Sequence, residues 1–357
     1  MTIYEYIKEY GKHSFSEKKF NEVDALIFSF LSYANYNKIF KNNKSITIHQ
    51  ASRMYTGVHI TKEDDVIAGK EGYILLKELN ETKRYSNCIL FNYEYEGTSE
   101  YQFGALSIEY EPGKVFVSFE GTNDLISGWK EDLKLSYEFP TISHKMATAY
   151  LNKYYTFSTK DLTIGGHSKG GNLALVASMY ANILVRLKIK KIYGVDSPGL
   201  LKENLKSHYY YRIDNKYYHY IPEYSMVGIL LHSKKDIIIK SNEKGIGGHS
   251  LLNWPINGDK FIRTNLSTIS KKLREDINKW CDTNSKEDKI ELITNLEKVL
   301  IKAKVDSLID IRDEKKKILQ IIIESKDISE QSKKTLTDFI MLIIKDFSNV
   351  KKEEIIN

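Results

Sequence analysis

The run Leu162-Thr163-Ile164-Gly165-Gly166-His167-Ser168-Lys169-Gly170-Gly171-Asn172-Leu173-Ala174-Leu175 constrains this chain more than any other. A β-rich segment ends in Gly-His-Ser-Lys-Gly and passes at once into a helix of small residues from Asn172 to about Tyr180. Strand, tight turn and helix in that order make a nucleophile elbow, in which the turn serine has a strained backbone and an Oγ exposed above a sheet. Such an elbow needs glycine at 166 and 170, where a Cβ would collide with the neighbouring strand or helix. The backbone N–H of Lys169 then faces a developing oxyanion at the positive end of the helix. Ser168 is the candidate nucleophile. The other use of a glycine-rich turn, cradling phosphate, lacks its signature: neither Gly-x-x-x-x-Gly-Lys-Ser/Thr nor Gly-x-Gly-x-x-Gly follows a strand-like run.

The flanking pattern is that of an α/β chain. Phe20, Val23, Ile27, Phe30 and Leu31 recur at helical spacing within 17–35, and a second helical piece begins near Thr47. The mixed stretch 62–82 suits a surface helix and loop. Residues 87–95 and 101–110 read as a β-pair, 114–119 as a third strand, and 147–155 as a helix leading to the elbow strand. Further strands are expected at 190–195, 217–221 and 236–240. Strands alternating with helices imply a mainly parallel sheet covered on both faces, with functional loops at the carboxyl ends of the strands. From about Phe261 the composition changes to Lys, Glu and Asp between apolar stripes, namely Leu292, Leu296, Val299 and Ala303, then Ile318, Leu319 and Ile322, then Phe339, Leu342 and Ile343. The chain therefore divides into an α/β domain over 1–260 and a helical extension over 261–357. That extension carries no chemistry-bearing cluster and is expected to stabilise the fold or dock a protein partner; Asp313-Glu314-Lys315-Lys316-Lys317 reads as a solvated face.

At 357 residues the chain can bury a sizeable core, and 41% hydrophobic with 28% charged residues is ordinary for a globular protein. The net charge of +6 is spread without a block rich in Arg and aromatics, so nucleic acid is not indicated, while a modest preference for anionic surfaces stays open. Cys88 and Cys281 are too few and too far apart for a disulfide framework or a metal motif and are expected to be reduced and buried. The first residues lack the basic and apolar regions of a signal peptide, and no stretch approaches a membrane span, so a cytoplasmic protein is expected.

A serine nucleophile needs a base and an orienting acid, in the chain order Ser, acid, His. Five histidines adjoin or follow Ser168. His167 is its neighbour and points away from it, so its expected role is structural. His219 lies in an alternating strand and is expected to be packed, and His208 has no distinguishing context. His249, in the glycine-rich stretch Gly245-Ile246-Gly247-Gly248-His249 after the last strand, can swing over the elbow and is the candidate base, ahead of His232. Asp196, on the turn Asp196-Ser197-Pro198-Gly199 after the strand that follows the elbow helix, is the candidate acid, with Glu223 and Asp236 as rivals. Glu120-Gly121-Thr122 at the end of the 114–119 strand is suited either to an oxyanion hole or to a plain turn.

These residues resemble a known family. Phe119-Glu120-Gly121-Thr122, then Trp129 and Asp132-Leu133, then Gly166-His167-Ser168-Lys169-Gly170-Gly171 are similar to the lipase class 3 group of α/β-hydrolases. The fuller set adds Phe20-Asn21-Glu22-Val23-Asp24, Asp196-Ser197-Pro198-Gly199, Pro222 with Ser225-Met226-Val227-Gly228, and His249 with Trp254. Over residues 1 to about 260 it resembles the Mbeg-like bacterial family of α/β-hydrolase-like proteins of unknown function. The resemblance implies an α/β-hydrolase fold and a serine hydrolase of the lipase or esterase kind, acting on acyl esters. Ser168 would be the nucleophile, His249 the base, and Thr122 with the Lys169 N–H the oxyanion hole. The Gly-Leu-Asp-Pro turn of pancreatic-type lipases is similar to the turn at Asp196. Lipases of the group usually have Leu where Lys169 stands; a lysine here implies either a structural salt bridge or attraction of a carboxylate or phosphate on the substrate. No metal or organic cofactor is required. Two other readings stay open: a catalytically silent hydrolase fold serving as a scaffold or binding protein, and a peptidase or thioesterase sharing the same triad.

Overall fold

Short connections after Gly97 and at Pro112-Gly113 fold the chain between 89 and 119 into an antiparallel meander. The computed structural model of the protein describes residues 1–55, 67–98, 100–122 and 131–302. β1 (Ser45–Thr47) pairs with β2 (Ile89–Gly97), β2 with β3 (Gln102–Glu111), and β3 with β4 (Lys114–Phe119), all antiparallel. Beyond β4, strands β5 (Asp161–His167), β6 (Ile189–Val195), β7 (Tyr217–Pro222) and β8 (Asp236–Ile239) each lie parallel to their predecessor. The eight strands stand in the sheet in chain order. β9 (Ile256–Asn257) and β10 (Lys260–Phe261) form a separate short ribbon. This is the mainly parallel sheet of an α/β-hydrolase fold, antiparallel on its β1 side.

Alternation along the strands builds two cores. Phe116 of β4 faces α1 (Ile3–Tyr10), α2 (Glu22–Leu31), α3 (Ile48–Tyr55) and α4 (Ile67–Leu79), whereas Val115, Val117 and Phe119 face α5 (Ile142–Tyr155) and α6 (Lys169–Tyr180). The helix expected within 17–35 starts only at Glu22 because Asn21 caps it. Asn21 Oδ1 accepts from the N–H groups of Val23 and Asp24, and Asp24 Oδ2 accepts the N–H of Asn21 in return. Of the stretch 62–82, residues 62–66 lie outside the described residues, and the described part is not only surface: Leu75, Leu76 and Leu79 of α4 are fully buried in the first core.

After β8 comes α7 (Gly245–His249), a short helix where an irregular glycine-rich loop is expected. Then α8 (Thr268–Thr283) and α9 (Lys286–Lys302) begin the helical extension. α8 is fastened to the sheet domain. Leu273 packs with Ile221, Ile229 and Leu266, Arg274 Nη1 meets Asp236 Oδ2 at 2.7 Å, and His232 Nε2 meets Asp282 Oδ1 at 2.9 Å. Val299 and Ile293 are buried and Leu292 is half-buried. The Leu296 side chain, Ala303, the stripes beginning at Ile318 and Phe339, the run 313–317 and Trp129 lie outside the described residues. Cys88 and Cys281 are buried free thiols, and burial pushes both up, Cys281 to about 11. Among the described residues no helix is long and apolar enough to cross a membrane.

Candidate active site

The carboxyl ends of β4, β5 and β6 meet around one serine. Ser168 caps α6 with φ +56° and ψ −133°, a conformation that L-residues adopt only when the surroundings enforce it. Its N–H donates to the Val195 carbonyl at 2.9 Å. Both flanking glycines are needed: a Cβ on Gly166 would lie 2.3 Å from the Gly170 carbonyl carbon, and one on Gly170 would lie 2.1 Å from the Phe119 oxygen. α6 thereby sits directly against β4. Lys169 is the first residue of α6, so its N–H is one of the donors that a helix start leaves without an intrahelical acceptor. Ser168 is only 4% exposed, unlike the open hydroxyl expected for an elbow.

Asp196 follows β6 with φ +41° and is fully buried. Its N–H donates to the Tyr220 carbonyl, extending the pairing of β6 with β7 by one residue. Its carboxylate has three donors: His249 Nδ1 at 2.6 Å on Oδ2, and the Ser225 hydroxyl at 2.5 Å and the Gly228 N–H at 2.9 Å on Oδ1. With Nδ1–H given to Asp196, the other nitrogen of His249, Nε2, is left as the proton acceptor. No hydrogen bond links Nε2 to the Ser168 hydroxyl; such contacts often tighten only around substrate.

The backbone that carries His249 is held from several sides. His167 Nε2 lies 2.9 Å from the His249 carbonyl oxygen, and the two rings lie against each other, tilted by 39°, with centroids 4.2 Å apart. Burial holds His167 well below the usual histidine range, hence neutral. It then donates from Nε2 and accepts at Nδ1 from the Tyr33 hydroxyl, 3.0 Å away. The Trp254 indole N–H donates to Gly248 O at 2.7 Å, Asn253 Nδ2 to Gly247 O at 2.8 Å, and the Ser250 hydroxyl to Glu71 Oε1 at 2.6 Å. Asn172 of α6 ties the elbow to the acid turn through Gly199 O at 2.7 Å.

The other residues singled out by sequence fall as follows. Lys169 is buried, with Nζ 2.8 Å from both Glu131 Oε2 and the Gln102 carbonyl, so its cation is internally neutralised rather than presented to a ligand. The Thr122 hydroxyl donates to Asp132 Oδ2 at 2.7 Å. Burial raises Asp132 to about 6, with Lys169 and His249 pulling against it, and raises Glu120 to about 8. His232 is drawn to Asp282. His219 is fully buried between Asp236 (2.9 Å) and Ser197 O (2.7 Å), and the His208 ring rests on Tyr209. The rival acids are also engaged elsewhere: Asp236 with His219 and Arg274, and Glu223 with the Ser241 N–H. Among the described residues no group of three or more His, Cys, Asp or Glu side chains is arranged to hold a metal ion.

Sequence reasoning passed over Ser225 and Gly228 as site residues. Their signal was the Ser-x-x-Gly spacing just past the carboxyl end of β7, which returns a hydroxyl and an N–H to the acid.

A search of curated proteins finds no match. Among solved structures, the Rhizomucor miehei lipase propeptide complex is 13% identical, with a TM-score of 0.37, over 61% of this chain and 68% of that one. The crystal structure of M37 lipase is 12% identical, with a TM-score of 0.33, over 57% and 68%. A family model described as Mbeg1-like matches residues 79–298, more than half of the chain, and on that match the protein belongs to the Mbeg1-like family.

Proposed function

We propose that the protein is a serine hydrolase of the lipase or esterase kind, cleaving acyl esters through Ser168, His249 and Asp196. The observation that carries this reading is the 2.6 Å bond from His249 Nδ1 to the buried Asp196 carboxylate, made beside a serine held at φ +56° at the start of a helix. His249 Nε2 takes the Ser168 proton as Oγ attacks the ester carbonyl. It then gives that proton to the leaving alcohol, and water releases the acid from the acyl-enzyme with the same proton relay. The Lys169 N–H supplies one oxyanion donor. Thr122 supplies the second, either from its backbone N–H or from its hydroxyl when Asp132 carries a proton and no longer needs to accept one. With the Lys169 cation neutralised inside the protein, no charged group on the substrate is required. The proposal includes a cytoplasmic location and the division into a catalytic domain over 1–260 and a helical extension over 261–357.

One observation favours the silent-scaffold reading: the Ser168 hydroxyl is buried and makes no bond to His249. Hydrolysis of p-nitrophenyl esters of increasing chain length separates the two. Wild type is expected to turn over at least one chain length and Ser168→Ala none; equal background rates for both proteins across the series would favour the scaffold.

A further inference from the structure

The amino ends of the parallel strands form the pole opposite Ser168, roughly 20 Å away along the seven residues of β5. Three connections meet there: residues 156–160 before β5, the helical turn Ile183–Lys188 before β6, and 212–216 before β7. They are knitted together. Asn182 Nδ2 bonds the Thr156 hydroxyl, Lys188 Nζ bonds the carbonyls of Tyr155 and Thr156, and Lys216 Nζ bonds the Arg186 carbonyl.

This pole breaks the usual burial pattern. Phe157 is 93% exposed, Leu187 69% and Ile183 62%, with Leu184 and Tyr211 also outward. A group of large apolar side chains around one exposed tip marks an interaction surface, whereas scattered single ones do not. Cations outnumber carboxylates around it: Arg186, Lys188, Lys190, Lys191, Arg212 and Lys216 against Asp161 and Asp214, the latter 3.4 Å from Lys234 Nζ. Of these six cations only Lys190 has a carboxylate partner, Asp161, among the described residues. The crowding is felt locally, since Arg212 helps to depress Arg186 and Lys190 helps to depress Lys216, each after the effect of burial.

We propose that this pole docks on an anionic lipid bilayer, with Phe157 and the Ile183–Leu187 face entering the boundary of the acyl region and the cations resting among the headgroups. The chemistry selects this occupant. A second copy docking face to face about a twofold axis would set one group of cations against another. The apolar tip is exposed and flanked by long basic side chains; Lys190, Lys191 and Arg212, the exposed ones, can lay their stems along apolar surface and carry their charges to the headgroup layer. In this orientation Ser168 faces away from the bilayer, toward diffusible substrates.

Co-sedimentation of the full chain with phosphatidylcholine vesicles, with and without phosphatidylserine, tests the proposal. Binding is expected only with phosphatidylserine and weakens as salt is raised. Lys191→Gln and Arg212→Gln are each expected to weaken it by about fivefold, the contribution of one basic side chain near such a surface. Phe157→Ser and Leu187→Ser weaken it by tenfold or more, with circular dichroism and ester hydrolysis unchanged, since these side chains are exposed and far from Ser168. Absence of binding to phosphatidylserine vesicles overturns the proposal. So does binding that ignores lipid charge, or retention by immobilised polyglutamate but not by vesicles, which would point to an acidic protein partner. Concentration-dependent dimerisation lost in Leu187→Ser, without vesicle binding, would overturn it in favour of self-association.

Discussion

Asp196 shows how much chemistry one carboxylate position commits. Its two oxygens accept from His249, Ser225 and Gly228, and its positive φ is held by a sheet bond to Tyr220. Asp196→Asn removes the acceptor that fixes the His249 tautomer, so kcat for ester hydrolysis should fall by roughly 10³- to 10⁴-fold. Steady-state kinetics on a protein with an unaltered circular dichroism spectrum measures this; a loss under tenfold would shift the acid role elsewhere. Beside the site, burial raises Glu120 to about 8, against an ordinary value near 4. A raised carboxylate binds its proton more tightly folded than unfolded, so its contribution to stability is complete at acid pH and is lost as pH rises toward and through 8. Glu120→Gln keeps the shape without the charge. It should raise the melting temperature at pH 9 by several degrees and leave it nearly unchanged below about pH 4, where the carboxyl is protonated in both states. Thermal melts at the two pH values decide this. Sequence alone singled out Ser168, His249 and Asp196 as candidates because each stands just past a strand or in a glycine-marked turn, where pattern and chemistry coincide. It did not disclose that Tyr33 and His167 position the His249 carbonyl. That contact joins residues 134 and 82 positions apart in the chain, and nothing in local spacing encodes it.

At the level of elements, the start of α2 links local sequence to tertiary packing. Asp24 serves first in the capping exchange with Asn21 and then as the buried partner of Arg84, whose Nη2 lies 2.5 Å from Oδ2 with both side chains fully covered. Arg84 Nε, at 2.8 Å, and the Tyr85 hydroxyl donate to Oδ1, and Arg84 also donates to the carbonyls of Lys18 and Lys19. Removing one member of a buried pair strands the other, so Asp24→Ala should cost about 3–5 kcal/mol in urea unfolding. A cost below about 1 kcal/mol would mean that water or another acceptor replaces Asp24. The Phe20-Asn21-Glu22-Val23-Asp24 motif therefore has a structural use: Asn21 caps, Asp24 anchors, and Glu22 accepts from the Tyr220 hydroxyl, the Phe261 N–H and Arg263. Helical periodicity located α2, but its first residue was set by capping, which the apolar pattern alone does not register.

For the whole molecule, the sheet divides labour between its poles: the carboxyl ends hold the candidate site, and the amino ends hold the apolar and cationic surface. α8 is tied to this sheet through a chain of contacts running from Arg274 to Asp236, His219 and the Ser197 carbonyl, one residue from the candidate acid. Bonds from His219, with the added charge of Arg274, hold Asp236 well below the usual carboxylate range despite its burial. A depressed acid contributes stability above its unfolded value and loses it as pH falls through the folded one. Arg274→Ala should therefore destabilise the protein by about 1–2 kcal/mol near neutrality, with the gap narrowing as pH falls below about 4. Denaturation midpoints at several pH values report it, and a gap that stays constant with pH would contradict the linkage. The central claim, an activated serine, is tested most directly on the intact protein by a fluorophosphonate probe with mass-spectrometric mapping of the adduct. The account predicts one adduct, on Ser168, absent in Ser168→Ala and formed much more slowly in His249→Ala. A folded wild type that forms no adduct, or one that labels equally fast without His249, would contradict it.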